Sequence, residues 1–413
     1  MDKKMVKHSG PKRGGASPTT GRAEQAAPKG KAVPGDRSAR TEGVSVSREQ
    51  VSEPAVGGRA ALGAIQRLPL ETQTLYSELL EHLQGTEFAR SFADLKGGFT
   101  LRERRGEPYW YFRTSEGLGP APREFYVGPD DAPTRGLLRA YKDGRGNAEA
   151  HAERVTRLAA MLRSGGLTLV DQATYKIVKT FSSAGVFRLG GVLVGAHAYV
   201  AIGNALGVKW PTATKTQDVD FGAMANPHIG IGVPQTPQLM ASVPKAIEAL
   251  EMGFLPVHFP TGEKPTTYIV PNRGWRIDLV TAPRGKDRVS PVEIPRFGVY
   301  AQPLEFMDYA LDKTMEALVV GNSGVLVRVP EPARFAIHKL LVASNRDPRS
   351  SAKADKDRQQ ACLMLRFLAE ERSGDITLAA EDAISRGSGW KRRLQEQAKL
   401  LKDPIEELQR MLR

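Results

Sequence analysis

The chain is nearly free of cysteine. Cys362 is the only one in 413 residues, so no intrachain disulfide can form and a cysteine-ligated zinc site is excluded. That usage fits a reducing, cytoplasmic setting. Long apolar runs are missing as well. No stretch reaches the roughly 18 apolar residues of a spanning helix, so no membrane partner is expected. The opening MDKKMVKHSGPKRGG is basic but has no apolar h-region, which argues against a secretory signal. The pattern G-x-x-x-x-G-K-[ST] does not occur, which speaks against a P-loop NTPase. Aromatic residues are absent from residues 1–58, which are rich instead in Gly, Pro, Ser, Ala and charge. Such a segment cannot bury enough apolar surface to offset its ordering entropy. The expectation for 1–58 is a disordered basic tail.

What the chain does have is an excess of positive charge: net +13, from 59 Lys+Arg and 46 Asp+Glu. Residues 1–60 hold 12 basic and 6 acidic residues, so nearly half of the excess sits in that tail. A basic tail attracts phosphate polymers without reading their sequence, and it also keeps a chain soluble. The length leaves room for two or three domains.

Periodicity divides the remainder into three parts. Residues 59–165 read as a small helix–sheet–helix module. Leu75, Leu79, Leu80 and Leu83 recur at helical spacing, with Gly85 as the expected stop. Three strand-like runs follow around Phe99, Tyr109–Phe112 and Glu124–Val127, and then one polar helix over 134–163. Strand alternation puts Tyr109 and Tyr111 on one face, Trp110 and Phe112 on the other. One face must pack on helices; the other, beside Arg102, Arg104, Arg105 and Arg113, is either a solvated face or a surface for bases and phosphates. Residues 166–330 read as one α/β unit, with helices over 173–184 and 196–206 and a hairpin across Pro271-Asn-Arg-Gly274. Residues 331–413 read as helical.

Asp218 and Asp220 stand one residue apart in a strand-like context, so their side chains share a face while Val219 and Phe221 point into a core. Two like charges so placed repel, a cost that makes sense if Mg²⁺ or Mn²⁺ neutralises them. Asp278 is a lone acid at the centre of the apolar strand Arg276-Ile-Asp-Leu-Val280 and needs a partner: a cation, or a base such as Arg276. Upstream, Leu193-Val-Gly-Ala-His197 closes a buried strand and opens a helix. Backbone N–H groups at such a start can cradle a triphosphate, and Gly195 permits close approach.

The order of these elements resembles the DNA polymerase β-like nucleotidyltransferase superfamily: an apolar strand, a glycine pair, a helix, a D-x-D strand and a later single-Asp strand. Gly195 matches the first glycine, Asp218 and Asp220 the paired carboxylates, and Asp278 the third. TQDVDF and GWRIDLVTAP are similar to stand-alone bacterial nucleotidyltransferase-fold proteins and to abortive-infection toxins. The resemblance spans roughly 170–350 and implies an α+β nucleotidyltransferase fold, a mixed sheet flanked by helices. It also implies a two-metal transfer of NMP from an NTP to an acceptor hydroxyl, on RNA or protein, with Asp218, Asp220 and Asp278 as catalytic and metal-binding residues. Gly195, Ala196 and Lys339 would then contact the nucleotide, Lys339 through its phosphates, and Lys356-Asp357 resembles a further Lys-Asp pair of those enzymes. Two features depart from the pattern: Ala196 replaces a hydroxyl-bearing residue, and the interval from Gly195 to Asp218 is long, with Thr214, Lys215 and Thr216 in it. They leave open a nucleic-acid-binding protein whose nucleotidyltransferase fold is degenerate.

Overall fold

The computed structural model describes residues 63–93, 97–104, 106–114, 123–144, 148–211, 216–224, 241–258 and 262–413. The tail over 1–58, together with Arg105, Thr214 and Lys215, lies outside the described residues. The chain is an α+β protein built on a mixed sheet. At its centre the strand Asp218–Ala223 lies between Gly191–Val194, antiparallel to it, and Arg276–Thr281, parallel to it. The strand Val299–Pro303 continues the sheet in parallel, and Val292–Ile294 closes that edge. Thr267–Ile269 folds back on Arg276–Thr281 as the other arm of a hairpin.

Local sequence explains that hairpin. Asn272 and Gly274 take positive φ, 62° and 72°, as residues without bulky β-branching do at low cost. Val270 N–H donates to the Trp275 carbonyl at 2.9 Å and closes the turn. The neighbouring helix Gln172–Ser183 is fixed at its start by Asp171, whose carboxylate accepts from the N–H groups of Ala173 and Thr174. Alternation in the central strands runs as expected: Val219, Phe221, Ile277 and Leu279 are buried. Phe221 stacks on Phe181 of that helix, ring centroids 4.2 Å apart. Burial of a side chain that size contributes about 1.5–3 kcal/mol.

Several boundaries differ from the sequence reading. The first helix runs from Leu70 to Ala93, through Gly85, which is buried. Packing there outweighs the roughly 1 kcal/mol that glycine costs in a helix. The region expected as one helix over 134–163 contains the helices Ala132–Gly144 and Ala148–Ser164, with 145–147 outside the described residues. The hairpin of Thr314–Val320 and Gly324–Pro330 has no counterpart in the sequence reading, whereas the helix Ser373–Ser385 falls within the region read as helical. The region read as helical ends in two helices, Ser388–Lys399 and Glu406–Leu412.

The helices Leu70–Ala93 and Ala148–Ser164 pack on the hairpin Thr314–Val320 and Gly324–Pro330. Tyr76, Leu79, Leu158 and Leu162 share one buried cluster with Leu318 and Val320 of the unanticipated hairpin, and the Tyr76 hydroxyl oxygen accepts from Leu318 N–H at 2.8 Å. The three-stranded sheet Gly97–Arg104, Glu107–Thr114 and Arg123–Pro129 has its own smaller core. There Phe112 packs with Phe88, Val127, Leu138 and Tyr141. Among the described residues no helix is long and apolar enough to cross a membrane.

Candidate active site

The parallel register sets the site. Asp220 pairs with Asp278, and Asp218 with Arg276, across neighbouring strands. Such strands lie about 4.8 Å apart, so the carboxylates of Asp220 and Asp278 emerge side by side on one face. On the other flank Asp220 pairs with Val194, the last residue before Gly195. Three residues expected from sequence, Asp220, Asp278 and Gly195, therefore meet, with Asp218 exposed at the mouth.

Gly195 has φ of 68°, and a Cβ there would stand 2.1 Å from Asp220 Oδ2. The glycine is needed to admit the Asp220 carboxylate. It opens the helix Gly195–Ala205, whose N-cap residue Val194 has no side-chain acceptor to offer the first turn.

The acids are not equivalent. Burial, then the charge of Asp278, pushes the Asp220 carboxyl up to about 7, while Lys339 and Arg276 act against the shift. Asp278 has partners on both oxygens: Thr267 Oγ1 donates to Oδ1 and Arg276 Nε to Oδ2, each at 2.6 Å. The arginine partner that the sequence left open is thus present. Thr267 escaped the sequence reading, although the hairpin turn already sets Thr267 opposite Asp278.

Opposite the acids stands a basic wall from the helices Pro332–Ser344 and Ser351–Glu371. Buried Asp357 accepts from Lys339 Nζ at 2.7 Å and from Arg346 Nε at 2.7 Å. Lys339 also lies 5.4 Å from the centroid of Phe335. Burial and the charge of Lys339 lower the ammonium pKa of Lys356, although Asp357, Asp218 and Asp220 favour its charge. His197, on the first turn after Gly195, is held down to about 4 by burial, and its Nε2 is buried without a partner. Ala196 lies partly exposed between Gly195 and His197.

A family model described as Nucleotidyltransferase matches residues 172–385. This chain belongs to that nucleotidyltransferase family. The match begins at the capped helix, takes in all three aspartates, Gly195 and the basic wall, and ends with the helix Ser373–Ser385. Neither the curated proteins nor the solved structures contain a match to the chain. Membership makes the chain an enzyme of nucleotide transfer with an NTP substrate.

Hard oxygen donors, two of them on in-register neighbouring strands, suit Mg²⁺ or Mn²⁺. The desolvated Asp220 carboxylate beside Asp278 is short of compensating charge, which a divalent cation would supply. Among the described residues no three His, Cys, Asp or Glu side chains form a ready-made metal cage.

Proposed function

We propose that the chain transfers NMP from an NTP to an acceptor hydroxyl on RNA or protein, in the manner of DNA polymerase β-like enzymes. The observation that carries this is the in-register pair Asp220–Asp278, with Gly195 pressed against it. Asp218, Asp220 and Asp278 would hold the divalent cation. When bound, it supplies neutralisation of phosphate charge and a lower pKa for the acceptor hydroxyl. Arg276 and Thr267 hold the Asp278 carboxylate in one orientation. Lys339 and Lys356 would contact the triphosphate, and Asp357 accepts from Lys339 and keeps it in place. The first turn after Gly195 and Ala196 offers backbone N–H groups to phosphate oxygens. Positioning and charge neutralisation carry most of such a transfer. The similarity to abortive-infection toxins belongs to the same reading, and so does a division at 59–165, 166–330 and 331–413.

One observation favours a second reading. Ala196 offers no hydroxyl to phosphate, as in a degenerate fold kept for binding. The decisive experiment follows radiolabel from each of the four α-labelled NTPs, with Mg²⁺, into total RNA and total protein. Label in either fraction that Asp220→Asn eliminates supports the enzyme. No transfer from any NTP, with Mg²⁺ or Mn²⁺, leaves the degenerate fold as the better account.

A further inference from the structure

We propose that the tyrosine face of the sheet formed by Gly97–Arg104, Glu107–Thr114 and Arg123–Pro129 is a docking surface for single-stranded nucleic acid. The inference goes beyond nucleotidyl transfer and does not rest on it.

The two faces of this sheet have different tasks. Phe112 on one face packs into the small core with Val127, Leu138 and Tyr141. Trp110, of the same parity, is tied down by its Nε1–H, which donates to Asp130 at 2.8 Å. That face meets the packing requirement of a three-stranded sheet. The opposite face carries Tyr109, Tyr111 and Tyr126: Tyr111 is buried between its neighbours, Tyr109 is half-buried and Tyr126 is exposed. Tyr126 is 44% exposed, unusual for a large aromatic with no other task. Its ring lies 5.9 Å from that of Tyr109 and 5.7 Å from that of Tyr111. Register makes the cluster: Tyr111 pairs with Tyr126 across one strand boundary and Arg102 with Tyr109 across the other.

The charged residues on this face match one occupant. The Arg104 guanidinium lies 5.6 Å from the Tyr111 centroid, and Arg102 and Arg113 are exposed beside the rings. Glu124 pairs with Arg102 and holds it in position. Arg102, Arg104 and Arg113 stand among Glu107 and Glu124, with Asp131 acting on Tyr126 from the adjoining turn, so guanidinium groups at the rings, and not a large net charge, are what the face offers a phosphate chain. Flat π surfaces at strand spacing, rimmed by guanidinium groups, suit unstacked bases joined by phosphates. A duplex hides its base faces and cannot use them. Because every base has a π face, the expected recognition is tolerant of sequence.

The test measures binding of a fluorescein-labelled poly-uridine RNA of about 12 nucleotides to the full chain by anisotropy. Tyr126→Ala and Tyr109→Ala are expected to weaken binding about tenfold each, while Tyr126→Phe, which keeps the ring, restores it. Arg104→Ala should weaken binding and reduce the slope of log K against log salt by about 0.7. Asp220→Asn should bind like the unaltered chain, which separates this surface from the active site. A duplex of equal length should bind more weakly and be indifferent to Tyr126. The proposal is overturned if the alanine variants, melting as the parent does, bind RNA as the parent does, or if the parent binds no RNA. It is equally overturned if these substitutions reduce labelling of a protein acceptor and spare RNA binding, since the face would then belong to a protein partner.

Discussion

The carboxylate of Asp220 occupies the space in which any side chain at position 195 would have to lie; a Cβ on Gly195 would stand 2.1 Å from Oδ2. This contact joins the end of one strand, the start of a helix and the middle of the neighbouring strand. Two costs therefore meet at one position: a left-handed φ of 68°, and a displaced acid.

Gly195→Ala is expected to destabilise the chain by about 2 kcal/mol, from backbone strain and the shifted carboxylate together. Thermal melts check this. In an Asp220→Ala background the same change should cost less, because the carboxylate is gone and only the strain remains. Strictly additive costs would show that the two residues do not press on each other.

Asp220→Asn is expected to leave the melting temperature of the metal-free protein unchanged or raise it. The acid is desolvated and repelled by Asp278, so its charge opposes folding. Nucleotide transfer should vanish in the same variant, since a neutral amide holds a divalent cation poorly. A variant that melts far below the parent yet transfers nucleotide per folded molecule would reverse the assignment.

Asp357→Ala is expected to be strongly destabilising, by about 3–5 kcal/mol, since two cations lose their buried partner. Lys339 and Arg346 both donate to that carboxylate. Asp357→Asn keeps an acceptor oxygen and should cost less. Denaturant melts of the two variants, compared with the parent, decide the matter; equal stability of all three would mean that Asp357 anchors nothing.

Stability should fall as pH drops from about 6.5 to about 4. His197 and His338 are both lowered by burial to about 4, so over this interval the unfolded chain takes up a proton at each that the folded chain refuses. His82, also lowered mainly by burial, adds in the same direction. Asp220 acts in the opposite sense: raised to about 7, it holds a proton when folded that it would release when unfolded. The histidines outnumber it, so the net slope keeps its sign. Each net proton is worth about 1.4 kcal/mol per pH unit. Asp220→Asn removes the opposing contribution, and its stability should fall more steeply over the same window in denaturant melts at successive pH values. A shallower fall would contradict the balance.

Local patterns carried much of this protein. The two-residue period of Asp218-Val-Asp-Phe221 determined which side chains enter the core, because strand side chains alternate whatever the partner strand. Pro271-Asn-Arg-Gly274 determined a hairpin, because Asn272 and Gly274 tolerate positive φ. That hairpin in turn determined Thr267 as the neighbour of Asp278, a consequence open to anyone counting back from the turn. Helical periodicity located the helix Pro332–Ser344 and thereby Lys339.

Only the tertiary structure decided the rest, because it depends on contacts between residues far apart in the chain. Nothing within Asp218–Phe221 states that Arg276–Thr281 lies beside it, in parallel, with Asp220 against Asp278. A shift of one residue would have sent Asp278 to the opposite face. The contact of Gly195 with Asp220 is of the same kind: the sequence shows a strand–helix turn at Gly195, and only the fold brings a carboxylate to 2.1 Å from where its Cβ would stand. The pairing of Lys339 with Asp357 needs two helices to pack, and the shared core of Tyr76 and Leu318 joins residues 242 positions apart. Sequence period assigns a side chain to a face, but long-range burial chooses which faces meet, and the chemistry of this site lies where they meet.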